Sequence, residues 1–568
     1  MKGIIKNKTS RIPSVIILPA TVIVLILLAL LHFRIDLTED QRYTLSPQTK
    51  KILSNLDKEV LITVYLDGDM PIGFKKLRRT TEQYLDEFRV VSHRKVSYRF
   101  VNPSGGTNEA ARQKVYDQLI GKGLIPVNVL AGDSEGGKSQ KMVFPSMTIN
   151  CNKVELPVNF LKNDPSVSAD MNLIHSAEGL EYEIVQAIAT ATYDSVRKVA
   201  FIEGHGELDE LQVADATMEL AKYFTVDRGS INGAPGILDS YSAVIIAKPE
   251  KEFNEKDKFV LDQYLMNGGR ILWLAEEVRV NSDSLVNGGT VAFYQPLNFE
   301  DQLFRYGVRI NPVLLQDQNS LLVPVRMMNG GSRTQYVPAP WIYDPFLKPS
   351  PTSPVTRNLV EVKSEFVNSI DTVGRDGNIR KTILLTTGNA SRVVAPPRFI
   401  SLSEVTNPPS EAEFNLKYLP AAVLLEGSFQ SAFKNRITSE YIGGKDIKVL
   451  EESKPTRMIV VADGDVIKND VRYSNGQAIP LSLGLDRYTQ QTFGNKEFIV
   501  NCVNYLVDDN NLLVLRDREI KPRLLDSARI KNGRIFWQVI NTLLPLALII
   551  IAGFSVNIIR RKRFTSVR

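Results

Sequence analysis

The sequence predicts a mixed α/β protein held between two membrane helices. Three observations predict it. Ile12–Phe33 and Phe536–Ile559 are apolar runs with no Asp, Glu, Lys or Arg. At 1.5 Å of rise per residue, each is long enough to cross the roughly 30 Å hydrocarbon core of a bilayer. Between them, strand-like and helix-like segments alternate. Ser242–Pro249 and Arg270–Glu276 are near-continuous apolar strands, the composition that a buried parallel sheet requires.

Residues 1–11 carry Lys2, Lys6, Lys8 and Arg11 and no acid, which places them in the cytoplasm. The run 12–33 exceeds the roughly 7–15 residues of a signal-peptide core, and no small-x-small pair follows it, so it reads as a retained anchor. Residues 34–58 form a membrane-proximal helix, with Ser46 as N-cap and Pro47 at the first helical position.

Residues 59–163 read β-α-β-α-β-β. The strands are Glu59–Asp67, Val96–Val101, Val127–Leu130 and Lys141–Ile149. The helices are Phe74–Phe88 and Asn108–Ile120, and Asn152–Phe160 forms a hairpin with the strand before it. That is the order of a thioredoxin-like domain. No Cys-x-x-Cys lies near its first helix, so redox chemistry is not expected. Residues 164–196 connect through a helix at Gly179–Tyr193.

Residues 197–280 and 456–510 predict a doubly wound, flavodoxin- or amidotransferase-like parallel sheet. Its segments are the strand before Glu203, a helix over Leu208–Phe224, the strands Thr225–Ile231 and Ser242–Pro249, and the helix Asn254–Met266. Asn254 caps that helix and Gly268-Gly269 stops it. The strands Arg270–Glu276 and Arg457–Ile467 and the helix Asn495–Leu506 complete the domain. Residues 281–455 lose this rhythm and read as a β-rich insertion. Residues 511–535 lead back to the membrane, where basic side chains can meet lipid phosphates. Residues 536–559 span it, and 560–568, with Arg560, Arg561, Lys562 and Arg563, form a basic cytoplasmic tail.

The net charge of +6 suggests nucleic acid, but much of the excess flanks the membrane runs, and no nucleic-acid partner is expected. The two cysteines, Cys151 and Cys502, read as buried apolar thiols.

Candidate ligand-binding residues are Glu203, His205 and Glu207 at one strand end, and Asp463 and Asp465 at another. In a doubly wound sheet both ends emerge on the ligand-binding edge. One histidine and two acids suit a metal. The plainer reading is turn chemistry: the four histidines include no paired spacing, and Asp-Gly is a common turn. No cofactor is expected. The chain has no Gly-x-x-x-x-Gly-Lys-[Ser/Thr], so it is not itself a P-loop ATPase, and it has no Gly-x-Ser-x-Gly. No catalytic set of nucleophile, base and orienter can be assembled.

The stretches RIDLTEDQRYTLSPQT, VAFIEGHGELDE, FVLDQYLMNGGRILWLAEE, VVADGDVIKND and GNKEFIVNCVNYLVDD, with the C-terminal span and RRKR, carry a resemblance. The chain resembles the GldG-type gliding-motility-associated ABC transporter auxiliary subunits of the Bacteroidota over nearly its full length. The resemblance implies an inner-membrane protein with a large periplasmic region. It also implies a multi-span permease partner, an ABC ATPase partner, and a role in gliding and associated protein secretion, with no enzymatic residue. Envelope or periplasmic proteins are further possible partners. Two other readings follow from the residues: a periplasmic glycan- or peptide-binding module using a crevice near His205 and Asp463, and a membrane-bound hydrolase.

Overall fold

The computed structural model describes residues 44–106, 108–132, 138–152, 154–162, 167–193, 197–328, 334–374, 377–436, 449–474, 476–509, 512–517 and 527–565. The predicted first span, Ile12–Phe33, lies outside them. The chain forms two compact units, Met1–Glu519 and Ile520–Arg568.

The first unit opens with α1 (Pro47–Ser54). The Ser46 hydroxyl accepts from the Thr49 amide at 3.1 Å, the N-cap that the sequence predicts. A four-stranded sheet follows, ordered β2-β1-β5-β6 and built from β1 (Val60–Val64), β2 (Val96–Phe100), β5 (Ser146–Cys151) and β6 (Val154–Asn159). β1 and β2 are parallel, and α2 (Ile72–Val91) makes the crossover between them. β5 and β6 run antiparallel. The helix α3 (Glu109–Gly121) leads to a separate ribbon of β3 (Val127–Gly132) and β4 (Lys138–Val143). The single strand expected over Lys141–Ile149 is therefore two strands. Pro145 has no amide to give a ladder, and the chain changes sheet there.

The helix α4 (Ala169–Thr192) buries Leu180, Ile184, Val185 and Ile188 on one stripe. Its Glu181 carboxylate accepts from the Ser46 amide at 2.8 Å and the Thr49 hydroxyl at 2.6 Å, which fixes α1 against α4.

The larger sheet contains β7 (Lys198–Glu203), β8 (Thr225–Ser230), β9 (Ala243–Ala247), β10 (Ile271–Leu274) and β22 (Thr456–Val461). These lie in the order β8-β7-β9-β10-β22, all parallel. The crossovers use α5 (Ala214–Leu220) and α6 (Glu255–Met266), and α9 (Asn495–Val507) follows β22. The helix expected over Leu208–Phe224 is shorter than predicted. Asp209 and Gln212 bond to each other's backbone amides at 2.8 and 2.9 Å, a local turn that competes with helix.

Between β10 and β22 the chain adds β11 (Val278–Arg279), β12 (Thr290–Tyr294), α7 (Glu300–Tyr306), β13 (Val308–Asp317), β14 (Ser320–Met328), β15 (Thr334–Pro349), β16 (Val362–Lys363), β17 (Asn368–Thr372), β18 (Ile379–Thr386), β19 (Ser391–Val394), β20 (Arg398–Ile400), α8 (Ser403–Thr406) and β21 (Pro420–Gly427). Four of these extend the large sheet past β22, antiparallel, in the order β21-β18-β15-β14. The residues expected as an insertion thus share a ladder with the parallel strands.

One core runs from α1, α2, α4 and the first sheet to the face of the large sheet that α5 and α9 cover. A second core lies on the opposite face under α6 and α7, around the fully buried Trp273. Cys151 and Cys502 are free and buried.

The second unit is α10 (Ser527–Thr565), bent at Gly533 and carrying Pro545. Within it, the 24 residues Phe536–Ile559 are largely apolar, none of them is buried, and the run is long enough to cross a bilayer.

Candidate functional site

In the parallel half of the sheet the strand order reverses between β7 and β9, and a ligand crevice is expected there, beyond the carboxyl ends. Glu203, His205 and Glu207 follow β7. Gly204 and Gly206 have φ of 121° and 77°, a left-handed path open to glycine, and it turns His205 inward. His205 is buried. Its Nδ1 lies 3.0 Å from Glu207 Oε1 and its Nε2 3.1 Å from Asp257 Oδ2. Its amide donates to Glu207 Oε2 at 2.7 Å, and its ring stacks on Phe253 at 3.8 Å.

Asp257 is itself held by the Gly233 amide at 2.6 Å and by Asn254, the N-cap of α6. Burial opposes charge on His205, but Glu207 and then Asp257 outweigh it and raise its pKa above the ordinary imidazole value. The His205 carbonyl accepts from the amides of Glu250 and Lys251 at 2.8 and 2.7 Å. The loops after β7 and β9 are thereby bonded across the switch point. Glu203 stands apart, half-exposed, paired with Arg228 at 2.8 Å.

Asp463 and Asp465 follow β22 on the same edge. The Lys248 ammonium, at the end of β9, bonds Asp465 and lies 3.2 Å from Glu276, at the end of β10. Lys468 reaches the other Asp465 oxygen at 3.0 Å. Asp463 is fully buried and accepts from the amides of Glu365 at 2.9 Å and Asp465 at 2.7 Å. A Cβ on Gly464 would lie 2.4 Å from the Lys248 side chain, so glycine is needed there for the lysine to pass.

Burial works against the charge on Asp465, but Lys248 and Lys468 depress its pKa to about 2. Burial, with Asp465 and Glu276 nearby, pushes Asp463 well above the carboxylate range. Burial also lifts Glu276 to about 7. The carboxylate oxygens of Glu276, Asp463 and Asp465 lie within 4.8 Å of one another, close enough to hold a metal ion. The lysine ammonium already occupies the cationic role among them, so these residues fit an internal ion-pair network better than a metal site.

The two clusters share an edge, and the residues beside them pack into different cores. Phe253, beneath His205, packs with Trp273 and Phe299 in the core under α6. Val466 and Ile467, beside Asp465, belong to the core on the opposite face. Sequence reasoning missed Lys248, Glu276 and Asp257. The signal for the first two was legible: each is a charged residue directly following a near-continuous apolar strand, on the edge where the candidates were sought.

These shifts set a pH dependence. Asp463, Glu276 and Glu277, the last raised to about 8 by burial and Glu300, bind protons more tightly folded than unfolded. Ionising them therefore removes stability as pH rises above the ordinary carboxylate range. The contribution of His205 is complete below its unfolded pKa and is lost as pH rises through its raised value. The four act in one direction, so the melting temperature of the full chain is expected to be higher at pH 5.5 than at pH 8. A flat or inverted profile would contradict these assignments.

Buried, internally paired charge at the strand ends describes an α/β body whose switch point is closed by its own loops. Residues 196–502, more than half of the chain, match the family described as "ABC-type uncharacterized transport system", and residues 39–150 match "Domain of unknown function (DUF7088)". The chain belongs to that family of ABC transport auxiliary proteins. No curated protein matches it. A solved structure described as "mmIFT52 N-terminal domain" is similar at 13% identity with a TM-score of 0.30, over 54% of this chain and 96% of that one. A likeness of that size fixes nothing about this chain.

Proposed function

We propose that this protein is a non-enzymatic, membrane-anchored subunit of an ABC-type complex, assembling with a multi-span permease and an ABC ATPase. The family match carries the proposal. The exposed, largely apolar run Phe536–Ile559 of α10 supports it, since such a surface needs a partner of hydrocarbon or of helix. The residues that resemble GldG-type subunits extend the proposal to gliding motility and associated protein secretion. In this reading the chain crosses the bacterial inner membrane at 12–33 and 536–559, with both termini cytoplasmic and the body periplasmic. Basic residues flanking the spans support that orientation.

The first domain is taken as a thioredoxin-like scaffold, supported by its β2-β1-β5-β6 order. The second is taken as a flavodoxin-like doubly wound sheet, supported by the order β8-β7-β9-β10-β22. The closed switch point favours a mechanical or docking body over a hydrolase. Affinity purification of the detergent-solubilised full chain is expected to recover a permease and an ATPase; recovery of neither would overturn the proposal.

A further inference from the structure

An open polar cleft lies in the first domain, at the carboxyl ends of the parallel pair β1 and β2. Its volume is about 660 Å³. The loop after β1 supplies Tyr65, Asp67 and Asp69, and the loop after β2 supplies Asn102 and Ser104. The first turn of α3 adds Arg112, and the β3–β4 ribbon adds Asn128 and Lys141.

The walls are built. Gly68, at φ 105°, sits so close to Asn102 that a Cβ would lie 2.7 Å from its side-chain oxygen. Asn102 Oδ1 accepts from the Ser104 amide at 2.9 Å, and the Ser104 and Tyr116 hydroxyls are 2.9 Å apart. Tyr116 packs on the buried Phe144 at 5.5 Å, on the floor of the cleft.

We infer that this cleft binds a hydroxyl-rich, uncharged ligand, an oligosaccharide. The volume is that of a small-ligand site. Asp67 is paired with Arg78 at 2.7 Å, and Asp69 with Lys141 and with Lys75 at 3.5 Å, while Glu109 and Arg112, three residues apart at the start of α3, bring opposite charges, so the lining does not present one sign to select an ion. Among the described residues, the side chains of Arg112 and Asn128 have no protein partner, and both face solvent at the cleft. Amide, guanidinium, carboxylate and hydroxyl groups together offer donors and acceptors, and the half-buried rings of Tyr65 and Tyr116 offer apolar faces. Sugars present the same pairing, hydroxyls at the edge and C–H faces above and below. An extended peptide is disfavoured, because the cleft lies at the ends of β1 and β2 and not along a ladder that a peptide strand joins.

The inference does not depend on the proposed permease and ATPase, so its failure would leave the co-purification result untouched. The test is titration of the detergent-solubilised full chain with cellohexaose, maltohexaose, xylohexaose and chitohexaose, with hexa-alanine as the peptide control. Saturable binding of at least one sugar is expected. It should weaken about tenfold or more in Arg112→Ala and in Asn128→Ala, the loss of one or two hydrogen bonds. Both residues are exposed, so an unchanged melting temperature verifies the fold, and Tyr473→Ala, exposed and distant in sequence, should bind as the parent does. No saturable sugar binding, binding of hexa-alanine alone, or sugar binding indifferent to both substitutions would overturn the assignment.

Discussion

Replacing Lys248 with alanine is expected to destabilise the body by about 3–5 kcal/mol, the usual result of removing one partner from a buried charge network. The lysine is the cation at the meeting of three strand ends. Asp465 is depressed to about 2 despite its burial, largely because that ammonium and Lys468 lie beside it. Without Lys248, Asp465 and Glu276 lose a shared partner, and among the described residues Lys468 is the cation that stays beside Asp465. The carboxyls then relieve themselves by taking up protons. The deficit should therefore grow as pH rises from 5.5 to 8, because protonation that compensates at low pH is withdrawn at high pH. Denaturant unfolding of the full chain at both values measures it. A loss under about 1 kcal/mol at pH 8 would show that the network is solvated in solution, as exposed pairs are.

The second large effect is at His205. Alanine there removes the imidazole between Glu207 and Asp257 and its stack on Phe253, and it leaves two buried carboxylates short of a donor. About 3 kcal/mol is expected. Glu203→Gln, two residues away, touches a half-exposed pair with Arg228 and should change stability by at most about 1 kcal/mol. That contrast separates a structural clamp from a ligand site. A clamp makes His205 critical and Glu203 dispensable, whereas a ligand site along the whole Glu203–Glu207 turn would leave the stability of both variants near the parent. Thermal unfolding of the two variants side by side decides it.

The parts of the fold written in local pattern were legible. Asn254 caps α6 because an Asx side chain at a strand-to-helix junction has a free amide to meet, and the residues show it. The apolar runs Ala243–Ala247 and Ile271–Leu274 are buried at every position, as strands covered on both faces must be. Less legible were features that depend on competition or distance. The break at Pro145 is visible only once β4 and β5 are known to join different sheets. The turn around Asp209 and Gln212 has helical composition but a closer bonding alternative. At the site, residue types pointed to the carboxyl edge of the sheet but not to how its charges pair. That Lys248 fills the space between Glu276 and Asp465 follows from the neighbouring of β9, β10 and β22, which brings together Lys248 and Asp465 from 217 positions apart. The cleft in the first domain was invisible for the same reason: Asp67, Asn102, Arg112 and Lys141 share no motif and meet only through topology.

The central claim is that the chain works through partners gathered at its membrane helix. The most direct measurement compares two affinity purifications from membranes, one with the full chain and one with Phe536–Ile559 replaced by a leucine helix of equal length. The replacement preserves a span and discards its side-chain faces, on which helix association in lipid depends. The account predicts that the parent brings down a multi-span permease and an ABC ATPase, and that the leucine variant stays in the membrane fraction with both partners lost. A parent that brings down neither protein would contradict it.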